Sequence, residues 1–371
     1  MIHNVSMQLC IHVLLAVLPL DKNSSTLYNL DLNMEKIKWP KVSFILLTLN
    51  GGDGVRKCLE SINEQSYPQH LIDIVSVDNG SIDDSVKIAK NLGAKVLIYP
   101  NGTLYSNWIK GLHTIKGEYI FFVDQDIVLR GRNFIKKMIS PLLVDKRLMG
   151  TYTKEYSHPK MHWVTRFLSY NVCQCDPLYE FLTPPIEKSF IEDHKKYIVS
   201  KFDIGKMPPI CRVFWRIEYL KKTPNWKVDN YFDHDFMIQS VKAGYPYFAY
   251  VHSAGYFHFH ANNLKHLLKK RVRNLYIHFF PYRDETEYKW LNTDNKKEVI
   301  RIFFWVFYAN LFFPEAIRGF FRYAKNRDWV LLMQPVVSIT ITDALLWNFL
   351  RNKVGRRIIL ESFKTLFNVK Y

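Results

Sequence analysis

The sequence predicts a doubly wound α/β sheet followed by a basic, helical C-terminal region. Between residues 42 and 126, short apolar runs ending in polar turns alternate with helical stripes four times, the pattern of a sheet with crossover helices. The 371 residues are 48% hydrophobic and 15% aromatic, with 16 Pro and 15 Gly, which excludes disordered and collagen-like chains. Lys and Arg total 51 against 34 Asp and Glu, a net charge of +17. Residues 263–371 hold 20 of those cations against 9 acids, in the third of the chain with the longest apolar runs. That pairing points to an anionic partner, and a membrane surface suits it better than a nucleic acid, because phosphate-tracking arms need no apolar faces.

Residues 1–33 are set apart as an extension, either an upstream-start artefact or a weak anchor. Residues 8–20 are mostly apolar, but no Lys or Arg precedes them, unlike a secretory leader. The first strand spans 42–49, a near-continuous apolar run stopped by Asn50-Gly51-Gly52. Val55, Cys58, Leu59 and Ile62 then fall on one helical stripe before Tyr67-Pro68. A second strand, 72–77, ends in Asp78-Asn79-Gly80-Ser81, and Ser81 with Asp84 is expected to cap a helix reaching Gly93. A third strand at 95–99 and a helix through Trp108 and Leu112 lead to a fourth strand, 119–123, closed by Asp124-Gln125-Asp126.

In such sheets ligands bind beyond the carboxyl ends of the strands, so Thr48, Asn50, Asp78, Asp124 and Asp126 should meet in one cleft. No Gly-x-Gly-x-x-Gly or P-loop follows a strand, which argues against a dinucleotide enzyme or a P-loop ATPase. Two carboxylates one residue apart can hold a hard divalent cation that bridges a diphosphate, or can be solvated turn residues.

The motifs of residues 42–50, 58–62, 65–68, 77–81 and 117–126, in this order and spacing, resemble those of the family 2 glycosyltransferases of GT-A fold, of the membrane-associated bacterial or archaeal type. The resemblance implies a mixed GT-A sheet and metal-dependent, inverting sugar transfer from a nucleotide-diphosphate donor. It implies that Thr48 and Asn50 line the nucleotide pocket, Asp78 contacts the base, Asp126 ligates Mn²⁺ or Mg²⁺, and Asp124 lies near the ribose or sugar. Trp108 and Ile109 stand where the family often has an Arg-Asn pair, so the sugar cannot be carried over.

The chain divides into a nucleotide-sugar half at 34–150, an acceptor half at 151–262 and a helical region at 263–371. Residues 151–210 show no clear period and read as long loops over the cleft. Residues 211–220 resemble the strand-to-helix element before the family's base motif, with Arg216 in its usual place. In Tyr231-Phe232-Asp233-His234-Asp235-Phe236 the resemblance makes Asp233 the candidate catalytic base, with Asp235 second; dipole-favoured helix-start carboxylates are the alternative. Phe232 replaces the usual acidic neighbour. A strand-like run at 250–260 would put His258 and His260 on one face, where either could complete the metal site; the ordinary alternative is a polar loop histidine.

Residues 264–276 form an amphipathic helix whose basic side could meet lipid phosphates or the donor diphosphate. Residues 299–313 are apolar but short and include Arg301, whereas 329–350 is long enough to span but contains Gln334, Pro335 and Asp343. A charge at a helix centre costs about 2.5 to 3.5 kcal/mol on insertion, so interfacial helices are favoured over clean spans. The expected partners are a nucleotide-diphosphate sugar, a lipid-linked or saccharide acceptor and a membrane surface at its cytoplasmic face. No nucleic acid is expected, since no recognition motif occurs. A donor-binding but inactive relative is the nearer alternative. Five Cys without a Cys-x-x-Cys pair suit a reducing compartment, with Cys173 and Cys175 structural.

Overall fold

The computed structural model describes residues 38–170, 176–205, 207, 208, 210, 212–227 and 233–367. The extension 1–33, Cys173 and Cys175 lie outside these residues, as does the side chain of Asp233. Pro40–Tyr371 forms one compact unit.

Strands β1 (Val42–Thr48), β2 (Ile72–Asp78), β3 (Lys95–Ile98) and β4 (Tyr119–Asp124) run parallel in the order β3-β2-β1-β4. Helices α1 (Asp53–Asn63), α2 (Ser85–Asn91) and α3 (Leu104–Leu112) lie between them in the chain. The apolar residues of β1 and β4 are almost all buried, as strands covered on both faces require. Gly111 lets α3 close on β1, because a Cβ there would stand 2.4 Å from Ile45 Cγ2. Trp108 is buried and meets Phe122 edge-on at 4.7 Å. It is therefore a core residue, and this settles its departure from the family pattern locally.

Register decides where the polar strand ends fall. Thr48 pairs with Asp78 and Leu47 with Asp124, so all three strands finish at one edge. Beyond β4 the sheet turns mixed, through β9 (Phe214–Arg216), β6 (Leu148–Tyr152), β10 (Tyr247–Tyr250), β8 (Ile198–Lys201) and β7 (Phe190–Asp193). Together these nine strands form one mixed sheet. A separate two-stranded ladder joins β5 (Ile127–Leu129) to β11 (Tyr256–His258), with His258 opposite Ile127. Arg216 is buried and ties β4, β6 and helix α4 (Phe134–Val144) through bonds to Tyr119 Oη, Leu148 O and Leu142 O.

Several expectations are corrected. The 151–210 stretch is not all loop: β7 and β8 extend the sheet, and short helices form at Trp163–Leu168 and Pro177–Leu182. Four-residue strands are too short to show a period. The run at 250–260 is broken between β10 and β11, where the chain leaves one sheet for the other. Ser81 does not cap α2, whose N-cap Asp84 makes no side-chain cap bond; its hydroxyl is used in the cleft.

Helix α5 (Asp233–Lys242) is followed, after β10 and β11, by the C-terminal bundle. Its helices are α6 (Leu264–Asn274), α7 (Lys296–Ala309), α8 (Phe312–Asn326), α9 (Gln334–Arg351) and α10 (Lys353–Phe367). Val164, Phe167, Leu168, Leu267, Val337 and Ile341 form one buried cluster that joins the helix at Trp163–Leu168 to α6 and α9.

Candidate active site

The cleft is built at the carboxyl edge of β1, β2 and β4. Asp78 is fully buried, and its carboxylate accepts four hydrogen bonds: from Thr48 Oγ1 at 2.7 Å, Ser81 Oγ at 2.6 Å, Ser81 N at 2.7 Å and Gly80 N at 3.0 Å. Asn50 adopts a left-handed backbone with φ 47°. Its N–H donates to Ser81 Oγ and its Oδ1 accepts from Ile82 N, both at 2.9 Å. Ser85 Oγ accepts from Gly51 N and Gly52 N. The loops after β1 and β2 thus form one interlocked, rigid wall.

Gln125, between the two candidate metal carboxylates, clips β4 to the end of β1: Leu49 N donates to its Oε1 at 2.9 Å, and its Nε2 donates to Leu49 O at 3.1 Å. Asp124, Asp126 and His258 each present an atom within 4.8 Å of the others. His258 is buried between two acids, with Nε2 3.1 Å from Asp126 Oδ1 and Nδ1 3.0 Å from Glu155 Oε1. Burial opposes its positive charge, but Asp126 and Glu155 outweigh that and raise its pKa to about 10. Burial pushes Asp126 up, yet His258 and then Lys270, whose Nζ is 3.6 Å away, hold it well below the usual carboxylate range. Arg212 pairs with Asp124.

These residues fit a divalent cation. Glu155 can accept the Nδ1 proton of His258 and leave Nε2 facing the carboxylates, the outer-shell arrangement metal-ligating histidines use. Neither ring nitrogen of buried His260 has a hydrogen-bond partner among the described residues. His260 lies beside His258, ring centres 5.1 Å apart, so it is close to the cluster without belonging to it. Oxygen and imidazole donors suit Mn²⁺ or Mg²⁺ rather than structural zinc.

Residues 43–217 match the family model described as "Glycosyl transferase family 2". That segment of the chain, just under half its length, is of the family 2 glycosyltransferase type. Among curated relatives, poly(ribitol-phosphate) beta-N-acetylglucosaminyltransferase TarP of Staphylococcus aureus is 26% identical over 55% of this chain and 64% of its own length. Poly(ribitol-phosphate) beta-glucosyltransferase of Bacillus spizizenii is 29% identical over 29% of this chain and 19% of its own length. The chain therefore spans less than two thirds of either relative. A solved mannosyltransferase from Pyrobaculum calidifontis, in complex with GDP-Man and Mn²⁺, is 14% identical, with 89% of this chain and 88% of that one covered at a TM-score of 0.43.

The family match ends before α5, so the acceptor side rests on this chain's own residues. Asp233 opens α5. Asp235 is buried, and its carboxylate accepts from the backbone N–H groups of Glu287 and Tyr288 at 3.0 and 2.9 Å. Burial raises its pKa, although those two bonds oppose the shift. Its hydrogen bonds are those of a residue holding a loop, a reason to set it apart from Asp233. Beside it opens a cavity of about 430 Å³, walled by Tyr105, His234, Trp290, Leu275, Phe279 and Phe303 and bearing Arg271, Arg283 and Lys289.

Sequence reasoning missed Glu155 and Arg212, which carry no local motif. Lys270 and Arg271 lie within the 264–276 stretch that it read as a basic amphipathic helix. In the fold they turn inward, Lys270 to Asp126 and Arg271 to buried Asp176 at 3.0 Å. Lys265, Lys269 and Arg273 remain exposed, so three of the helix's five cations keep an outward basic side and two turn inward.

Proposed function

We propose that this glycosyltransferase moves a sugar, with inversion, from a nucleotide-diphosphate donor to a lipid-linked or saccharide acceptor, using Mn²⁺ or Mg²⁺ held by Asp124, Asp126 and His258. The observation that carries this reading is the convergence of those three ligand atoms beside the Thr48–Asp78 wall. A bound cation would offset the negative charge that develops on the leaving diphosphate. Lys270 adds a positive charge at the same point. Thr48 and Asn50 line the nucleotide, and Asp78, already held by four bonds, acts as a fixed wall for the base.

Asp233 takes the proton of the acceptor hydroxyl as it attacks the anomeric carbon from the face opposite the diphosphate. Asp235 positions the 286–290 loop. The cavity next to it combines aromatic and aliphatic walls with Arg271, Arg283 and Lys289, which suits an acceptor bearing phosphate beside an apolar or ring surface. Two relatives with poly(ribitol-phosphate) in their names support the phosphate part. The basic C-terminal bundle supports work at the cytoplasmic face of a membrane.

The test is purified full-length protein with a panel of nucleotide sugars, in Mn²⁺, in Mg²⁺ and in chelator. Metal-dependent release of nucleoside diphosphate is expected. Asp233→Asn should cut transfer by about 10² to 10⁴ with donor affinity kept. Donor binding without turnover on any acceptor would identify an inactive, donor-binding member instead.

A further inference from the structure

We propose that α7 and α8 form a wedge that enters one leaflet of an anionic bilayer without crossing it. The proposal rests on the membrane-facing part of the reading above and specifies how the contact is made. Helix α8 is inside out. Its inner face carries Glu315, fully buried, which accepts from Gln334 Nε2 at 2.7 Å and from Ser338. Arg318 pairs with Glu180 at 2.5 Å, and Arg322 donates to Gln334 Oε1 at 2.5 Å. The outer face is apolar: Phe313 is 77% exposed and Phe321 68%, with Ile317 and Phe320 also more than half exposed. A helix facing water presents the reverse pattern.

The apolar surface continues on α7 through exposed Ile300, Phe304 and Phe307, spaced along one stripe, and through exposed Leu311 in the break before α8. The two helices meet at 87° across a short break, too sharp for one straight span. The segment long and apolar enough to cross, Trp329–Arg351, is the centre of the bundle. Its buried Gln334 and Ser338 bond Glu315, and Thr342 Oγ1 accepts from Trp305 Nε1 at 3.0 Å. Releasing it into lipid would leave those groups unpaired.

Charge selects the occupant. Between residues 296 and 367, ten Lys and Arg side chains are exposed against one acid, Asp343. A second copy would bring the same ten cations and be repelled, whereas anionic headgroups neutralise them. Contiguous exposed apolar surface of this kind marks an interaction site.

The experiment is flotation of full-length protein with phosphatidylcholine vesicles, with and without phosphatidylglycerol, for wild type and for the double variant Phe313→Glu/Phe320→Glu. Wild type should float with the anionic vesicles, and the double variant's bound fraction should fall at least tenfold while its Mn²⁺ affinity and thermal midpoint stay at wild-type values. A C-terminal tag on vesicle-bound protein should remain open to added protease. Unchanged flotation of the variant, a protected tag, or wild type that dimerises in solution through this face and ignores vesicles would each overturn the wedge. Sugar transfer without vesicle binding overturns the wedge alone, and vesicle binding without transfer overturns the transferase reading alone.

Discussion

Glu155 offers the sharpest quantitative test of the metal centre, because it touches the cluster only through His258. Its Oε1 lies 3.0 Å from His258 Nδ1, and the residue is 3% exposed. Glu155→Gln keeps an oxygen that can accept the Nδ1 proton, so ring orientation survives and only the charge is lost. Glu155→Ala removes both and leaves the ring free to turn. Outer-shell losses of this kind weaken metal binding about 10- to 100-fold, about 1.4 to 2.7 kcal/mol. The Gln variant should fall at the lower end of that range and the Ala variant at the upper end. The assay is Mn²⁺ titration followed by electron paramagnetic resonance, with nucleoside diphosphate present, so that it does not depend on turnover. Direct loss of a ligand in Asp126→Ala should abolish Mn²⁺ binding by the protein, leaving the added ion at its protein-free signal. Wild-type Mn²⁺ affinity in both Glu155 variants would refute His258 as a ligand oriented by Glu155.

Asp235→Ala should destabilise the protein by about 2 to 6 kcal/mol, since two backbone N–H groups lose a buried acceptor at about 1 to 3 kcal/mol each; hydrogen exchange at Glu287 and Tyr288 reads it directly. Gly111→Ala places a methyl 2.4 Å from Ile45 Cγ2 and should cost about 1 to 3 kcal/mol in urea unfolding. His234 is held neutral by burial, its pKa lowered to about 4. The unfolded chain binds that proton at ordinary histidine pH, so stability is full above about pH 6.5 and is lost as pH falls towards 4, at about 1.4 kcal/mol per pH unit. His234→Phe should remove that slope from urea midpoints measured across this range.

The parallel half of the sheet was legible because its strands are covered on both faces, and β1 and β4 therefore appear as unbroken apolar runs. The acidic pair was legible for a related reason, since Asp124 and Asp126 sit where such a run stops. Glu155 was not legible, because its meaning lies in a contact with His258, 103 residues away. Nor was the orientation of α8. A period of 3.6 separates an apolar side from a polar side, but choosing which one faces inward assumes water outside. Here Glu315, Arg318 and Arg322 form the inner side. Lys270 illustrates the same limit in α6, where one cation of a basic stripe is diverted to Asp126.

The β5–β11 ladder sets an order of events during synthesis. Asp126 immediately precedes β5 and His258 ends β11, and their backbones are bonded, Phe259 N donating to Asp126 O at 2.9 Å. The wall around Asp78 closes by residue 85, from contacts of modest sequence separation, which form early. His258, the third member of the candidate cation cluster, joins it only when β11 has left the ribosome and docked on β5. A nascent chain ending at residue 217 would carry the whole family match and yet hold two of the three ligands. Trimming this protein to residues 43–217 would therefore give a fragment that keeps the wall around Asp78 and the Asp124 and Asp126 carboxylates but lacks His258, and with it the complete candidate cation cluster.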